Sequence, residues 1–345
     1  MTSPTKAEGS GPAVALDPEL AATTETVQVK ELVGRSPGQL MWIRFKRDRA
    51  GVTSACIVLF FIAIGLLAPV ISKLYGKDPY TVYADERPEL FDSAGVPLQP
   101  NGGISGEFWF GLEPGNGYDV FTKLLYGIRN SLGISLAVTI ATVLTGVLLG
   151  VAAGYLGGKV DFAISRVVDF LLAFPSQLFF IASMPVVVSL FVDPKDETPV
   201  YVRVVALIAV QWFLGWMSLA RILRGTTLSL AGREFIEAAK VSGASPWRII
   251  RKEILPNVVT PILVQSTYML PAFVTAEAGL SFLGVGIVEP TPDWGQMFSK
   301  ASTELVMQND ITYMFFPGIS MIIFIVAFNL LGDSVRDAFD PKTAR

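Results

Sequence analysis

Long apolar runs separated by short charged stretches dominate this chain. Six runs are long enough to cross a bilayer as helices, at roughly 51–71, 130–156, 163–191, 203–223, 258–283 and 313–332, since about 20 apolar residues span the hydrocarbon core. The pattern predicts an all-α polytopic membrane protein with six transmembrane helices, the first over 50–71 and five more in a core at 130–332. Ahead of them, within 37–49, Leu40, Met41, Trp42, Ile43 and Phe45 interleave with Arg44, Lys46, Arg47 and Arg49. That is the pattern of an amphipathic helix lying in the membrane interface. Residues 1–36, rich in Ala, Thr, Glu, Pro and Gly without periodicity, read as a disordered cytosolic tail lacking a signal-peptide core. Residues 333–345 read as a cytosolic C-terminal tail.

Charge sets the orientation. Arg221, Arg224, Arg233, Lys240, Arg248, Arg251 and Lys252 crowd one short inter-span stretch. The excess of Lys and Arg on that side predicts cytosolic termini, because cytosolic loops retain basic residues. The formal net charge of −3 adds nothing to this. The only cysteine, Cys56, lies inside an apolar run, so no intrachain disulfide forms. Histidine is absent, which removes the commonest general base, proton relay and metal ligand.

Residues 72–129, dense in Pro, Gly, Asp and aromatics, exceed what a connection needs and predict a small extracytoplasmic insertion, with Glu107–Phe110 contributing to its core. Gly146, Gly150 and Gly154 recur at four-residue spacing, which lets helices approach closely in lipid. Pro175 and Pro185 predict a kinked third span. Near its cytosolic end, Arg166 and Asp169 stand at i, i+3 and are expected to pair.

Arg233–Asn257, REFIEAAKVSGASPWRIIRKEILPN, reads as two short helices joined by a tight turn. Gly243 fits the left-handed residue that ends the first. Ser245-Pro246 fits an N-cap and first helical residue of the second, which is expected to stop before Pro256. Phe235, Ala238, Ala239 and Ser242 share one face, mostly small, as a docking helix requires. Arg248, Arg251 and Lys252 also suit a DNA-binding helix pair, but the tether to apolar spans on both sides argues for a membrane-proximal role and no nucleic acid.

Glu237-Ala238-Ala239, Gly243 and Ile254-Leu255-Pro256 resemble the EAA motif of ABC-importer permeases. Val168-Asp169-Phe170-Leu171-Leu172-Ala173-Phe174-Pro175-Ser176 resembles a run of the dipeptide/oligopeptide/nickel branch. So does Glu277 through Gly286 with Glu289-Pro-Thr-Pro-Asp-Trp-Gly295, in its C-type subunit. A further run, Asp119 to Leu132, resembles the same branch but departs at Leu112-Glu113, where Thr-Asp is usual, and at Tyr118, where arginine is. The resemblance implies a plasma-membrane permease subunit, bacterial or archaeal, that is not itself an enzyme. It implies three kinds of partner: a second, homologous permease subunit, two cytosolic ATPases using ATP and Mg, and an extracytoplasmic binding protein. Glu237, Ala238, Ala239, Gly243, Leu255 and Pro256 would couple to the ATPases. Peptides are the implied cargo, with nickel chelates or oligosaccharides as alternatives.

The fifth span carries Gln265, Thr267, Thr275 and Glu277, which predict a water-accessible face lining the pathway. No G-x-x-x-x-G-K-[ST] loop occurs, so ATP is not hydrolysed here by that route, and no cofactor is expected in the chain. A proton-coupled secondary transporter is the rival class; it would not need the Arg233–Asn257 stretch.

Overall fold

The computed structural model describes residues 37–193 and 195–339. The expected tail at 1–36 lies outside them, as do residues 340–345. The chain divides into a short unit, Met1–Leu40, described only at the start of the first helix, and the unit Met41–Arg345.

The first helix, α1 (Pro37–Arg47), ends in Arg44, Lys46 and Arg47. Asp48 caps α2 (Arg49–Tyr75), its carboxylate accepting the Ala50 N–H at 3.0 Å, which satisfies one orphan amide of the first turn. The insertion follows, with α3 (Tyr83–Glu86), two 3-10 turns and isolated bridges Phe91–Pro97 and Leu112–Asp119. Tyr83, Phe91, Phe108 and Leu112 form its core. Of the Glu107–Phe110 run only Phe108 lies in that core; Trp109 packs on Tyr75 and Phe121, and Phe110 stacks on Phe316.

Helix α4 (Val120–Leu156) starts ten residues before the apolar run expected at 130–156. Asp119 explains the early start, capping the helix by accepting the Thr122 N–H at 2.8 Å. The span expected at 163–191 is two helices, α5 (Gly158–Leu172) and α6 (Ser176–Ser189), bent by 90°. Pro175 lacks an N–H and biases Phe174 out of helical geometry, so the chain turns a corner where only a kink was expected. Next come α7 (Val200–Ala231), α8 (Glu234–Val241), α9 (Pro246–Ile249) and α10 (Leu255–Phe282). Helices α11 (Trp294–Ala301), α12 (Glu304–Asn309) and α13 (Thr312–Phe339) complete the described chain. The tail expected from 333 is therefore helical as far as Phe339. Among the described residues five helices are long and apolar enough to cross a membrane, or six if the bent α5–α6 pair counts as one.

Helices α4 and α7 approach most closely at the glycine stripe. A Cβ on Gly150 would lie 2.6 Å from the Ala220 carbonyl oxygen, and one on Gly154 2.7 Å from that of Arg224. These glycines therefore serve packing within the bundle. Phe61, Trp294, Tyr313 and Phe324 fill the space between α2, α4, α11 and α13. Val138, Met184, Leu207 and Met217 fill that between α4, α6 and α7.

Candidate functional site

At one end of the bundle, α8 and α9 form a compact helix pair held from beneath. Helix α8 closes with a Schellman arrangement: Ala244 N–H donates to the Ala239 carbonyl at 3.0 Å and Gly243 N–H to that of Lys240 at 2.9 Å. Gly243 has φ +77°, the left-handed conformation this turn requires. The Ser245 hydroxyl then accepts the Arg248 N–H and Pro246 opens α9. Ile236, Ile249 and Ile254, all buried, pack against Val151, Leu223 and Val258. The opposite face is bare: Phe235, Glu237 and Ala238 are exposed, Trp247 is 65% exposed and Val241 89%.

Two expectations change here. Ala239 is half-buried and packs toward the isoleucine cluster. At 100° per residue it lies about 40° from Phe235 and about 60° from Ile236, so the face shared by spacing straddles the boundary. The second helix also does not stop before Pro256. A π turn over Ile250–Ile254 joins α9 to α10, and Pro256 falls in the first turn of α10, where its missing N–H costs nothing. Leu255 is half-buried and Pro256 exposed.

Above this element the α5–α6 corner, α7 and α10 enclose a cavity of about 420 Å3, open on one side. Its polar groups are neutral: Ser176, Gln177, Ser218 and Gln265, among apolar walls that include Leu171, Phe174, Met217 and Met269. Gln265 thus lines the cavity, and the other three pathway candidates do not. Thr267 packs toward Gly332 and bonds the Val264 carbonyl at 2.8 Å. Thr275, exposed, bonds the Pro271 carbonyl at 2.9 Å and does not line the cavity. Glu277 is wholly buried and faces no open path. The hydroxyls that made this span look polar are satisfied by its own backbone, the usual accommodation inside a helix.

The corner is tied to α7 by ion pairs the spacing argument missed. Asp169 pairs with Arg221 at 2.5 Å and not with Arg166, whose guanidinium lies over the Phe162 ring. Asp161 accepts from both Nε and Nη2 of Arg224. Asp169, Arg221 and Arg224 line a pocket of about 170 Å3 between α5 and α7.

The far end holds charges that sequence reasoning overlooked. Glu113 is fully buried, bonded by Lys123 at 2.6 Å and the Tyr313 hydroxyl at 2.8 Å, with Lys300 at 3.5 Å. Lys123, also buried, lies 3.5 Å from Glu289 and 4.6 Å from the Tyr118 ring centroid. The two departures noted at Leu112-Glu113 and Tyr118 were the signal, since both contribute to holding Lys123. Nearby, Glu277 and Asp293 are both buried, and Ser281 donates to Glu277 at 3.3 Å. Asp293 caps α11 through the Gln296 N–H at 2.5 Å. Burial pushes the Asp293 carboxyl up to about 6, against these hydrogen bonds.

The family described as "Binding-protein-dependent transport system inner membrane component" matches residues 146–345. Residues 36–95 match the "N-terminal TM domain of oligopeptide transport permease C". The dipeptide transport system permease protein DppC of Alkalihalophilus pseudofirmus is 34% identical over 89% of this chain and 90% of its own. DppC of Bacillus subtilis is 33% identical over 88% and 85%. The glutathione transport system permease protein GsiD of Escherichia coli is 34% identical over 89% and 91%. The fold resembles an inward-facing structure of the MetNI methionine ABC transporter (TM-score 0.51, 19% identity), over 64% of this chain and 97% of that one.

Proposed function

The chain belongs to the family of binding-protein-dependent transport system inner membrane components, and on that premise we propose that it passes peptides through the α5–α7–α10 cavity, driven through α8–α9. It is a multi-pass permease subunit of an ABC importer and supplies half of a translocation pathway. Docking of a cytosolic ATPase on α8–α9 rests on one observation: the pair is fixed from below by three buried isoleucines yet leaves Phe235, Val241 and Trp247 uncovered. A partner surface that covered these three side chains would gain from burying them. Two such ATPases, using ATP and Mg, would draw the coupling helices of this chain and of a second, homologous permease together. The termini then lie on the cytosolic side and the insertion faces the binding protein.

Peptide cargo is supported by the relatives named for dipeptides and glutathione, and by a cavity whose polar groups are amides and hydroxyls. Such groups can meet a peptide backbone and impose no charge preference on its side chains. The test is single cysteines at Gln265, Ser218 and Thr267 in a Cys56→Ser background of the complete transporter. Gln265→Cys and Ser218→Cys should react with a water-soluble thiol reagent, change reactivity when ATP hydrolysis is trapped, and be shielded by a dipeptide-loaded binding protein. Thr267→Cys should stay inert. Uniform inertness would remove the cavity from the pathway.

A further inference from the structure

A groove of about 530 Å3 runs between α2 and α13, away from the cavity and from α8–α9. Ile57, Ile322, Val326 and Leu330 wall it, and small residues, Ala50 and Ala327, keep it open. Its volume falls in the range of ligand sites, roughly 300–1,000 Å3. The wall offers a ligand two hydroxyls, of which Ser54 is turned back to the Gly51 carbonyl at 3.0 Å, leaving Thr53.

The mouth has the opposite chemistry. Arg49 lines it, exposed and without an ionic partner among the described residues; Arg47, two residues earlier, is also exposed and unpaired. Asp48 between them does not neutralise either, because its carboxylate is turned to the α2 N-terminus and the Ala50 N–H. Lys46 lies over the Trp42 ring 5.0 Å from its centroid, beside this mouth in sequence.

The depth also fits one kind of occupant. Arg49 to Ile57 on α2, and Leu330 back to Ile322 on α13, each span eight residues, or about 12 Å of helix. Half of a bilayer's hydrocarbon is about 15 Å. The groove thus runs from a cationic rim through most of one leaflet and no further. A protein neighbour would need no such match, nor cations at one end alone.

We propose that this groove binds an anionic phospholipid of the leaflet on the coupling-helix side, an acyl chain along α2 and α13 and its phosphate on Arg49 and Arg47. The site is separate from the transport pathway, so it is tested by binding rather than uptake. Native mass spectrometry of the complete transporter with phosphatidylglycerol or phosphatidylcholine gives the readout. The expected result is one phosphatidylglycerol retained in preference to phosphatidylcholine. Arg49→Gln should weaken its retention about fivefold, the effect of one basic residue at a membrane surface, and Arg49→Lys should restore it. Val326→Trp, which fills the groove from an exposed position, should displace both lipids. Equal retention of the two lipids, or retention indifferent to both Arg49→Gln and Val326→Trp, would overturn the proposal. So would protection of a Leu330→Cys thiol from lipid-soluble reagents by the second permease subunit.

Discussion

The two ends of this bundle manage charge in opposite ways. Near α8–α9, Asp169–Arg221 and Asp161–Arg224 join α5 to α7 with side chains that water reaches, Asp169 and Arg221 both being more than half exposed. At the far end Glu113, Lys123 and Tyr313 are sealed in, drawing the insertion, α4 and α13 into one knot. Exposed pairs contribute little and exchange readily, whereas a buried pair loses heavily if one partner is removed. The far end is therefore built to hold its shape, and the α8–α9 end yields more readily.

The largest effect should come from breaking the sealed knot. Lys123→Met removes the nearer of the two cations on buried Glu113, leaving Lys300 at 3.5 Å, and should lower stability by up to about 3–5 kcal/mol, read as the unfolding midpoint of the purified complex. Adding Glu113→Gln should recover most of the loss. A double variant as unstable as the single one would show that Lys123 matters through packing alone.

Gly243→Val comes next and acts at the other end. Its φ of +77° costs an L-residue about 1–2 kcal/mol, and a β-branched one resists it more. No neighbour lies within 4 Å of a Cβ there, so the defect is in the backbone alone. Membrane insertion should be normal, while α9 is mis-aimed and uptake is lost. Normal uptake would remove the α8–α9 turn from the coupling route.

These two positions differ in how readable they were. Gly243 announced itself because capping is local: a helix former run, a glycine, then Ser-Pro can close only one way. The long apolar runs were legible for the same reason, and the all-helical, membrane-spanning architecture followed from them. Lys123 and Glu113 were not legible, because their pairing depends on a loop folding back over a helix that begins ten residues before its apolar run. The Asp169 partner was misassigned because the i, i+3 rule sees one helix only, while Arg221 comes from α7. Polarity misled most in α10, where Thr267 bonds its own helix and packs toward Gly332, and Glu277 is buried beside Asp293. Sequence shows that a group is polar but not which neighbour has already used it.

A smaller, pH-dependent effect belongs to Asp293. Its folded carboxyl is raised to about 6 by burial, so it favours the folded state when protonated. That contribution is present below the ordinary carboxylate value and is lost as pH rises through about 6. Asp293→Asn keeps the α11 cap and removes this carboxyl from beside buried Glu277. The difference in unfolding midpoint, wild type minus variant, should therefore fall between pH 4 and 6.5. A difference that is flat or rises over that range would mean the carboxyl is ionised throughout.

The smallest effect on stability should come from Asp169→Asn, and here the comparison between the two ends is sharpest. The pair is exposed, so its loss should shift the unfolding midpoint by no more than about 1 kcal/mol in equivalent stability. Yet Asp169 lies three residues before Leu172, where α5 ends at the corner that walls the cavity through Leu171, Leu172 and Phe174. Releasing it from Arg221 frees that corner from α7, the helix that leads directly into α8. Motion of the coupling pair should then reach the cavity less faithfully. In proteoliposomes carrying the whole complex, ATP hydrolysis should persist while uptake per ATP falls, and Arg221→Gln should reproduce the defect. The Asp161→Asn variant, releasing the pair farther from the corner, should show less of it. If uptake per ATP is unchanged in Asp169→Asn, the exposed pairs are passive and force reaches the cavity through the packed α4–α7 seam instead.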